Sequence, residues 1–257
     1  MQLIDTHTHL YSEEFDNDRA QVMQRAEDAS VARFYLPAID STMHEAMLDL
    51  ERKYPDKCIA MMGLHPCSVK ENFEEELAVV QQWLDKRNFI AVGEIGLDFY
   101  WDKTFIPQQI QAFTMQMQWA LERNIPINIH ARDAMDKCIE LVKPFSDKSL
   151  RGIFHCFGGT SQQAKAIVEM KFHLGIGGVF TFKNAHLPEV LKDIPLENIV
   201  LETDAPYLAP APMRGKRNES SYLKYIVQAL ADAKNISIEN LAEITTANAE
   251  KIFHGKN

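Results

Sequence analysis

The chain has 257 residues, 46% of them hydrophobic, and a formal net charge of -9. This length and apolar content suit one large core, and a single (β/α)8 barrel commonly falls near this size. The acidic balance excludes a protein that coats nucleic acid through a generally basic surface, although a local basic patch with bound cations can still hold a phosphate. The four cysteines Cys58, Cys67, Cys138 and Cys156 lack CxxC spacing, so free thiols and a reducing, cytoplasmic setting are expected. No apolar leader is expected at the start, no run approaches the length of a membrane span, and no linker interrupts the pattern. Residues 1–257 are therefore expected to form one domain.

In chain order, short apolar runs alternate with amphipathic stretches. The first run covers 3–10 and contains Asp5-Thr6-His7-Thr8-His9-Leu10. Side chains two apart on a strand share a face, so His7 and His9 project together, as chelation requires. A helix is expected over 16–29, with Val22, Ala26 and Ala29 near helical spacing. A second run at 32–39 precedes a helix that Ser41 could cap. The third run, 58–64, leads to His65 and a helix over 73–86, whose Glu74-Glu75-Glu76 reads as a solvated start near the positive dipole end. The fourth, 89–98, contains Glu94 and precedes a helix from Pro107 to about 123. The fifth, 125–130, ends in His130 and is followed by a helix over 134–142. The sixth, 152–157, carries His155 and leads to a helix opened by Thr160 or Ser161. The seventh, 173–180, precedes a short helix over Leu187–Leu191, and the eighth, 198–206, carries Glu202 and Asp204. Helices over 220–233 and 238–253 close the chain. The glycines of 175–178 lack GxGxxG spacing and read as a close backbone approach.

Eight such units imply an α/β fold with a parallel sheet covered on its outer face, closed as a TIM (β/α)8 barrel. Its active-site mouth is built at the C-terminal strand ends. His7, His9, His65, Glu94, His130, His155, Glu202 and Asp204 all fall there. Burying so many ionisable groups without compensation would cost several kcal/mol each, on the order of a desolvated charge, and divalent cations remove that cost. His44, His173, His186 and His254 fall elsewhere and read as structural or solvated.

Imidazoles and carboxylates without thiolate suit zinc, manganese or a similar ion. Glu94 is the candidate bridge between two metals. His7 and His9 would hold one with Asp204, and His130 and His155 the other. A bridging water would become the nucleophile, with Asp204 accepting its proton. Glu202 could support a ligand or make a further carboxylate contact. His65 could contact substrate or stabilise the leaving group.

These motifs, with Gly63-Leu64-His65-Pro66, Gly93-Glu94-Ile95-Gly96-Leu97-Asp98, His130-Ala131-Arg132, His155-Cys156-Phe157-Gly158-Gly159 and Glu202-Thr203-Asp204-Ala205-Pro206-Tyr207, resemble the TatD family of metal-dependent deoxyribonucleases within the amidohydrolase superfamily. The resemblance runs from Asp5 to about Phe253. It implies a TIM barrel, two divalent metal ions (Zn, Mg or Mn), and hydrolysis of phosphodiester bonds in DNA. It carries the ligand role onto His7, His9, Glu94, His130, His155 and Asp204. The chain departs from the pattern at Ser220-Ser221, where a proline is expected, which bears only on how the next helix starts.

Arg132 and the loop residues Arg214, Lys216 and Arg217 offer cations for phosphate. Phe99-Tyr100-Trp101 and Tyr207 could stack on bases or pack as a lid. The expected activity is a deoxyribonuclease acting on strand ends or single strands, as a monomer without membrane or protein partners. The alternative is hydrolysis of a small ester, amide or phosphoester at the same site.

Overall fold

The expected alternation is realised in the computed structural model, which describes residues 1–255. Residues 256–257 of the expected single unit lie outside the described residues. The strands are β1 (Leu3–Asp5), β2 (Val31–Pro37), β3 (Cys58–Met61), β4 (Val92–Asp98), β5 (Ile127–Arg132), β6 (Gly152–Phe154), β7 (His173–Ile176) and β8 (Ile199–Leu201). Between and after them lie α1 (Arg19–Asp28), α2 (His44–Lys53), α3 (Phe73–Lys86), α4 (Ile106–Glu122), α5 (Met135–Ser146), α6 (Ser161–Glu169), α7 (Leu187–Leu191), α8 (Leu223–Lys234) and α9 (Ile238–His254). None of these helices is long and apolar enough to cross a membrane.

All strand pairs are parallel, in the orders β1-β2-β3 and β4-β5-β6-β7-β8. Backbone hydrogen bonds bridge the two seams of the barrel. Gly93 N–H donates to Met62 O at 3.1 Å on one side, and Thr6 N–H donates to Leu201 O at 3.1 Å on the other. Strand alternation sorts the apolar side chains into two cores. Leu3, Phe34, Leu36, Ala60, Phe154 and Leu201 point outward to the helices. Ile4, Tyr35, Met61, Ala91, Ile153 and Val200 fill the barrel with Ile252 and Phe253 of α9, where Tyr35 stacks on Phe253 at 3.8 Å. The apolar filling occupies one end of the interior and leaves the other to the polar residues.

Several strands stop earlier than expected: β1 at Asp5, β3 at Met61, β6 at Phe154, β7 at Ile176 and β8 at Leu201. At these ends backbone groups leave the ladder for side chains and loops. Thr203 N–H donates to Asp5 Oδ1 at 2.9 Å, and Cys156 N–H donates to Glu202 Oε1. His7 and His9 consequently lie just past β1 rather than on it. They are still held on both sides, since Thr8 N–H donates to Tyr35 O at 3.1 Å and Asp204 N–H to His7 O at 2.9 Å.

Ser41 does not cap α2; its N–H and hydroxyl donate to Glu76 at 2.9 and 2.8 Å, so Glu76 is a loop tether rather than a solvated charge. Thr160 does cap α6, in a reciprocal pair with Gln163. Ser220 and Ser221 open a short 3-10 turn before α8, and Ser221 donates to Glu219, which also holds Arg25 at 2.6 Å.

Gly96 marks the tightest approach in the β4–β5 ladder. Its φ is +143°, and a Cβ there would sit 2.0 Å from His130 O. Gly96→Ala is expected to cost about 3 kcal/mol and to lower the melting temperature by roughly 6–12 °C. Thermal denaturation followed by circular dichroism checks this.

Candidate metal centre

Glu94 sits in β4, which is buried along its whole length, and is itself 2% exposed. A lone carboxylate there would be strongly destabilising, and five imidazoles compensate it. Oε2 lies 3.1 Å from His7 Nε2 and 3.6 Å from His9 Nε2. Oε1 lies 2.8 Å from His155 Nε2, 2.8 Å from His130 Nδ1 and 3.3 Å from His65 Nε2. Asp204 Oδ1 is 3.6 Å from both His7 Nε2 and His9 Nε2. Oε2 of Glu94 thus faces two histidines and Oε1 three. Burial alone would raise the Glu94 carboxyl, but His155, His65 and His7 outweigh it and hold it well below the usual range. Burial likewise opposes ionisation of Asp204, and His9, His155 and His7 prevail.

Hydrogen bonds behind four of the rings, and a carboxylate contact behind His155, select which nitrogen carries the proton. His7 Nδ1 is 2.8 Å from Asn128 Oδ1, an acceptor, so the lone pair is on Nε2. Tyr11 O–H donates to Pro37 O at 2.6 Å, which leaves its oxygen to accept from His9 Nδ1 at 3.1 Å and frees His9 Nε2. His130 Nε2 is 2.9 Å from Asp98 Oδ2, which leaves Nδ1, turned to Glu94, as the nitrogen where a metal would replace a hydrogen. His155 Nδ1 faces Glu202 Oε1 at 3.5 Å, and its Nε2 faces Glu94. His65 is the opposite case. Its Nδ1 accepts from Cys67 N–H at 3.0 Å, so Nε2 carries the hydrogen. Burial pushes the His65 pKa down, which keeps the ring neutral and makes it a donor rather than a ligand.

The four freed nitrogens and the Glu94 and Asp204 oxygens fit divalent metal. His7 Nε2 and His9 Nε2 point at each other at 3.2 Å, as do His155 Nε2 and His130 Nδ1 at 3.4 Å, a repulsive arrangement of lone pairs that a proton or cation relieves. His7, His9 and Glu94 offer one three-donor set, His7, His155 and Asp204 another, and His65, Glu94 and His130 a third. The neighbouring thiols do not compete. Burial pushes Cys67 up to about 12 and Cys156 well above its ordinary value, so both stay protonated.

Glu202 is fully buried beneath His155 and lies against β7, where a Cβ on Gly175 would meet its Oε2 at 2.2 Å. That contact explains the glycine and places Glu202 behind a ring. Arg132 is exposed at the mouth, stacked 4.0 Å over Tyr100 and 5.1 Å from Trp101. Tyr207 is half exposed, 6.2 Å from the His9 ring. Arg214 lies 4.0 Å over Phe182, and Lys216 is exposed. Arg217 is not free for a ligand, because both its amino groups lie 2.8 Å from Asp18. Asp98, Asn128 and Tyr11 were not singled out from sequence. Asp98 and Asn128 share strand parity with the candidate ligands Glu94 and His130, and a polar residue at inward parity is the signal that could have found them; Tyr11 lies past β1 and carries no such signal.

The model of the family described as TatD related DNase matches residues 4–254. A Bacillus subtilis protein named uncharacterized metal-dependent hydrolase YabD is 39% identical over 98% of this chain and 98% of its own length. An Erwinia tasmaniensis protein named 3'-5' ssDNA/RNA exonuclease TatD is 31% identical over 98% of this chain and 100% of its own. The crystal structure of YJJV, a TatD homolog from Escherichia coli, superposes with a TM-score of 0.92 at 28% identity, over 98% of this chain and 97% of that one.

A divalent ion at a hundredfold excess over its dissociation constant is expected to stabilise chelator-treated protein by about 2.7 kcal/mol, raising its melting temperature by roughly 5–10 °C. Glu94→Gln is expected to lose most of that rise. An unchanged wild-type melting temperature with both zinc and manganese would contradict the assignment.

The pH dependence follows from His155. Burial disfavours its charged form, but Glu94 and Glu202 raise its pKa well above the ordinary 6.5. In metal-free protein that proton stabilises the fold fully below the ordinary value, and the stabilisation is lost as pH rises through the folded value. Metal must displace it, so affinity is expected to keep rising above pH 6.5, with proton release. Calorimetric titration at several pH values, in buffers of different ionisation enthalpy, measures both.

Proposed function

This chain belongs to the TatD related DNase family of metal-dependent hydrolases, and we propose that it removes nucleotides from the 3' ends of single-stranded nucleic acid at a centre of two divalent ions. The observation that carries this reading is Glu94, whose two oxygens face separate pairs of ring nitrogens with free lone pairs. His7, His9 and Asp204 would hold one ion, His130 and His155 the other, and Glu94 both. Imidazole-rich donors suit zinc or manganese better than magnesium. Bound there, the ions would supply a water of lowered pKa and neutralise phosphate charge.

The chain's own residues do the rest. Asp204, kept ionised by the surrounding imidazoles, accepts the proton of the attacking water. His65 points its neutral Nε2–H into the centre and donates to the departing oxygen. Glu202 and Asp98 hold the rings of His155 and His130. Arg132 meets a phosphate, and bases stack on Tyr100, Trp101 and Tyr207, which are 50%, 67% and 50% exposed. Arg214 and Lys216 extend the cationic rim, while Arg217 anchors their loop to Asp18.

Direction and strand preference are taken from the named activity of the Erwinia relative. A small-ester hydrolase would use the same centre, but the exposed aromatic turn and the cations at the mouth suit a polymer better. Because all six donors come from one chain, we propose a monomer. The four free cysteines fit a cytoplasmic setting.

End-labelled single-stranded DNA, duplex DNA and single-stranded RNA, incubated with a series of divalent ions beside a panel of small esters and amides, test the proposal. A ladder shortening from the 3' end of single strands is expected. Asp204→Asn is expected to lower kcat by roughly 10²–10⁴-fold. Arg132→Ala is expected to raise KM about tenfold with little change in kcat. Turnover of a small ester without nucleotide release would favour the alternative.

A further inference from the structure

One carboxylate holds both a ring at the metal centre and the aromatic turn at the mouth. Asp98, the last residue of β4, is 1% exposed. Its Oδ1 accepts the backbone N–H groups of Tyr100 and Trp101, each at 3.0 Å. Its Oδ2 faces His130 Nε2 at 2.9 Å. The backbone of Asp98 is fixed in turn, since its N–H donates to Gln109 Oε1 of α4 at 2.9 Å. Across the ladder Asp98 pairs with Arg132, whose guanidinium lies over the same two aromatic rings.

We propose that Asp98 is a positioning residue that couples the two halves of the site. Oδ2 fixes the His130 proton on Nε2 and so presents Nδ1 to a divalent ion. Oδ1 holds Tyr100 and Trp101 as a platform for a nucleobase, backed by Arg132. The platform half rests on the nucleic-acid reading above; the tautomer half does not.

A carboxylate only accepts, so a ring nitrogen facing one carries hydrogen. His130 faces two carboxylates, Asp98 at Nε2 and Glu94 Oε1 at Nδ1, 2.8 Å away, so an ion at Nδ1 takes the place of that hydrogen while Asp98 keeps the one on Nε2. An amide at this position cannot serve both partners. Two backbone donors claim its oxygen, which leaves its NH2 group against His130 Nε2. The ring must then offer a lone pair at Nε2 and place its hydrogen on Nδ1, toward Glu94. Asp98→Asn therefore keeps the turn and the shape but inverts the tautomer, whereas Asp98→Ala releases both.

Long-range proton–nitrogen correlation spectra of histidine-labelled, zinc-loaded protein read which ring nitrogen keeps its hydrogen. Wild type is expected to carry the His130 proton on Nε2, and Asp98→Asn on Nδ1. Titration with zinc or manganese alone is expected to show one of two binding events weakened about 10–100-fold in Asp98→Asn. Binding of a phosphorothioate oligothymidylate in the presence of chelator, followed by Trp101 fluorescence, is expected to be unchanged in Asp98→Asn and weakened in Asp98→Ala. A wild-type His130 protonated on Nδ1 would overturn the tautomer half without any variant. So would two wild-type ion affinities in Asp98→Asn. Oligothymidylate binding that survives Asp98→Ala undiminished would overturn the platform half. Absence of oligothymidylate binding to wild type would defeat the nuclease reading and the platform together, and the histidine spectrum would still decide the tautomer.

Discussion

A buried carboxylate is tolerable only where positive charge or hydrogen-bond donors surround it, and the mouth of this barrel is arranged around that constraint at Glu94. The residue lies in the longest strand that is buried throughout, yet its oxygens meet five histidines, from β5 and from the segments that follow β1, β3 and β6. No short segment could bring these groups together. The barrel can, because its parallel strands all end on the same side and the apolar filling around Tyr35, Ile153 and Phe253 keeps the opposite end closed.

The rings would be poor ligands if they were free to choose their tautomer. Asn128, Tyr11, Asp98 and Glu202 remove that freedom from behind, each from its own strand end or loop. The backbone N–H of Cys67 does the reverse at His65. On the proposed reading, five chemically identical side chains around one carboxylate divide into four that would hold metal and one that would donate hydrogen. His65 could then stand as close to Glu94 as the proposed ligands do and be left for the substrate.

Much of this was legible in the sequence, because strand ends can be found from apolar runs, and the fold converts strand ends into a common mouth. His7, His9, Glu94, His130, His155 and Asp204 stand near such ends, and the structure gathers them around Glu94. Less legible was anything set by partners distant in sequence. Arg217 sits in a basic loop that reads as a phosphate site, but Asp18, 199 positions away, takes its guanidinium. Glu76 reads as a solvated charge, but Ser41 claims it. Strand lengths were overestimated for a related reason: the polar residues that mark the site also end the ladder, by drawing backbone donors to Asp5 and Glu202. Residues behind the rings were missed because an Asn or Tyr in an apolar run carries no chemistry of its own until its neighbour is known.

Glu94 is proposed to join two metal positions, one on each of its oxygens. Anomalous diffraction from crystals grown with manganese or zinc, collected on both sides of the absorption edge, would locate the ions. Two peaks are expected to flank the Glu94 carboxylate, one against His7 and His9 and one against His130 and His155. A single peak, or peaks away from Glu94, would contradict the proposal.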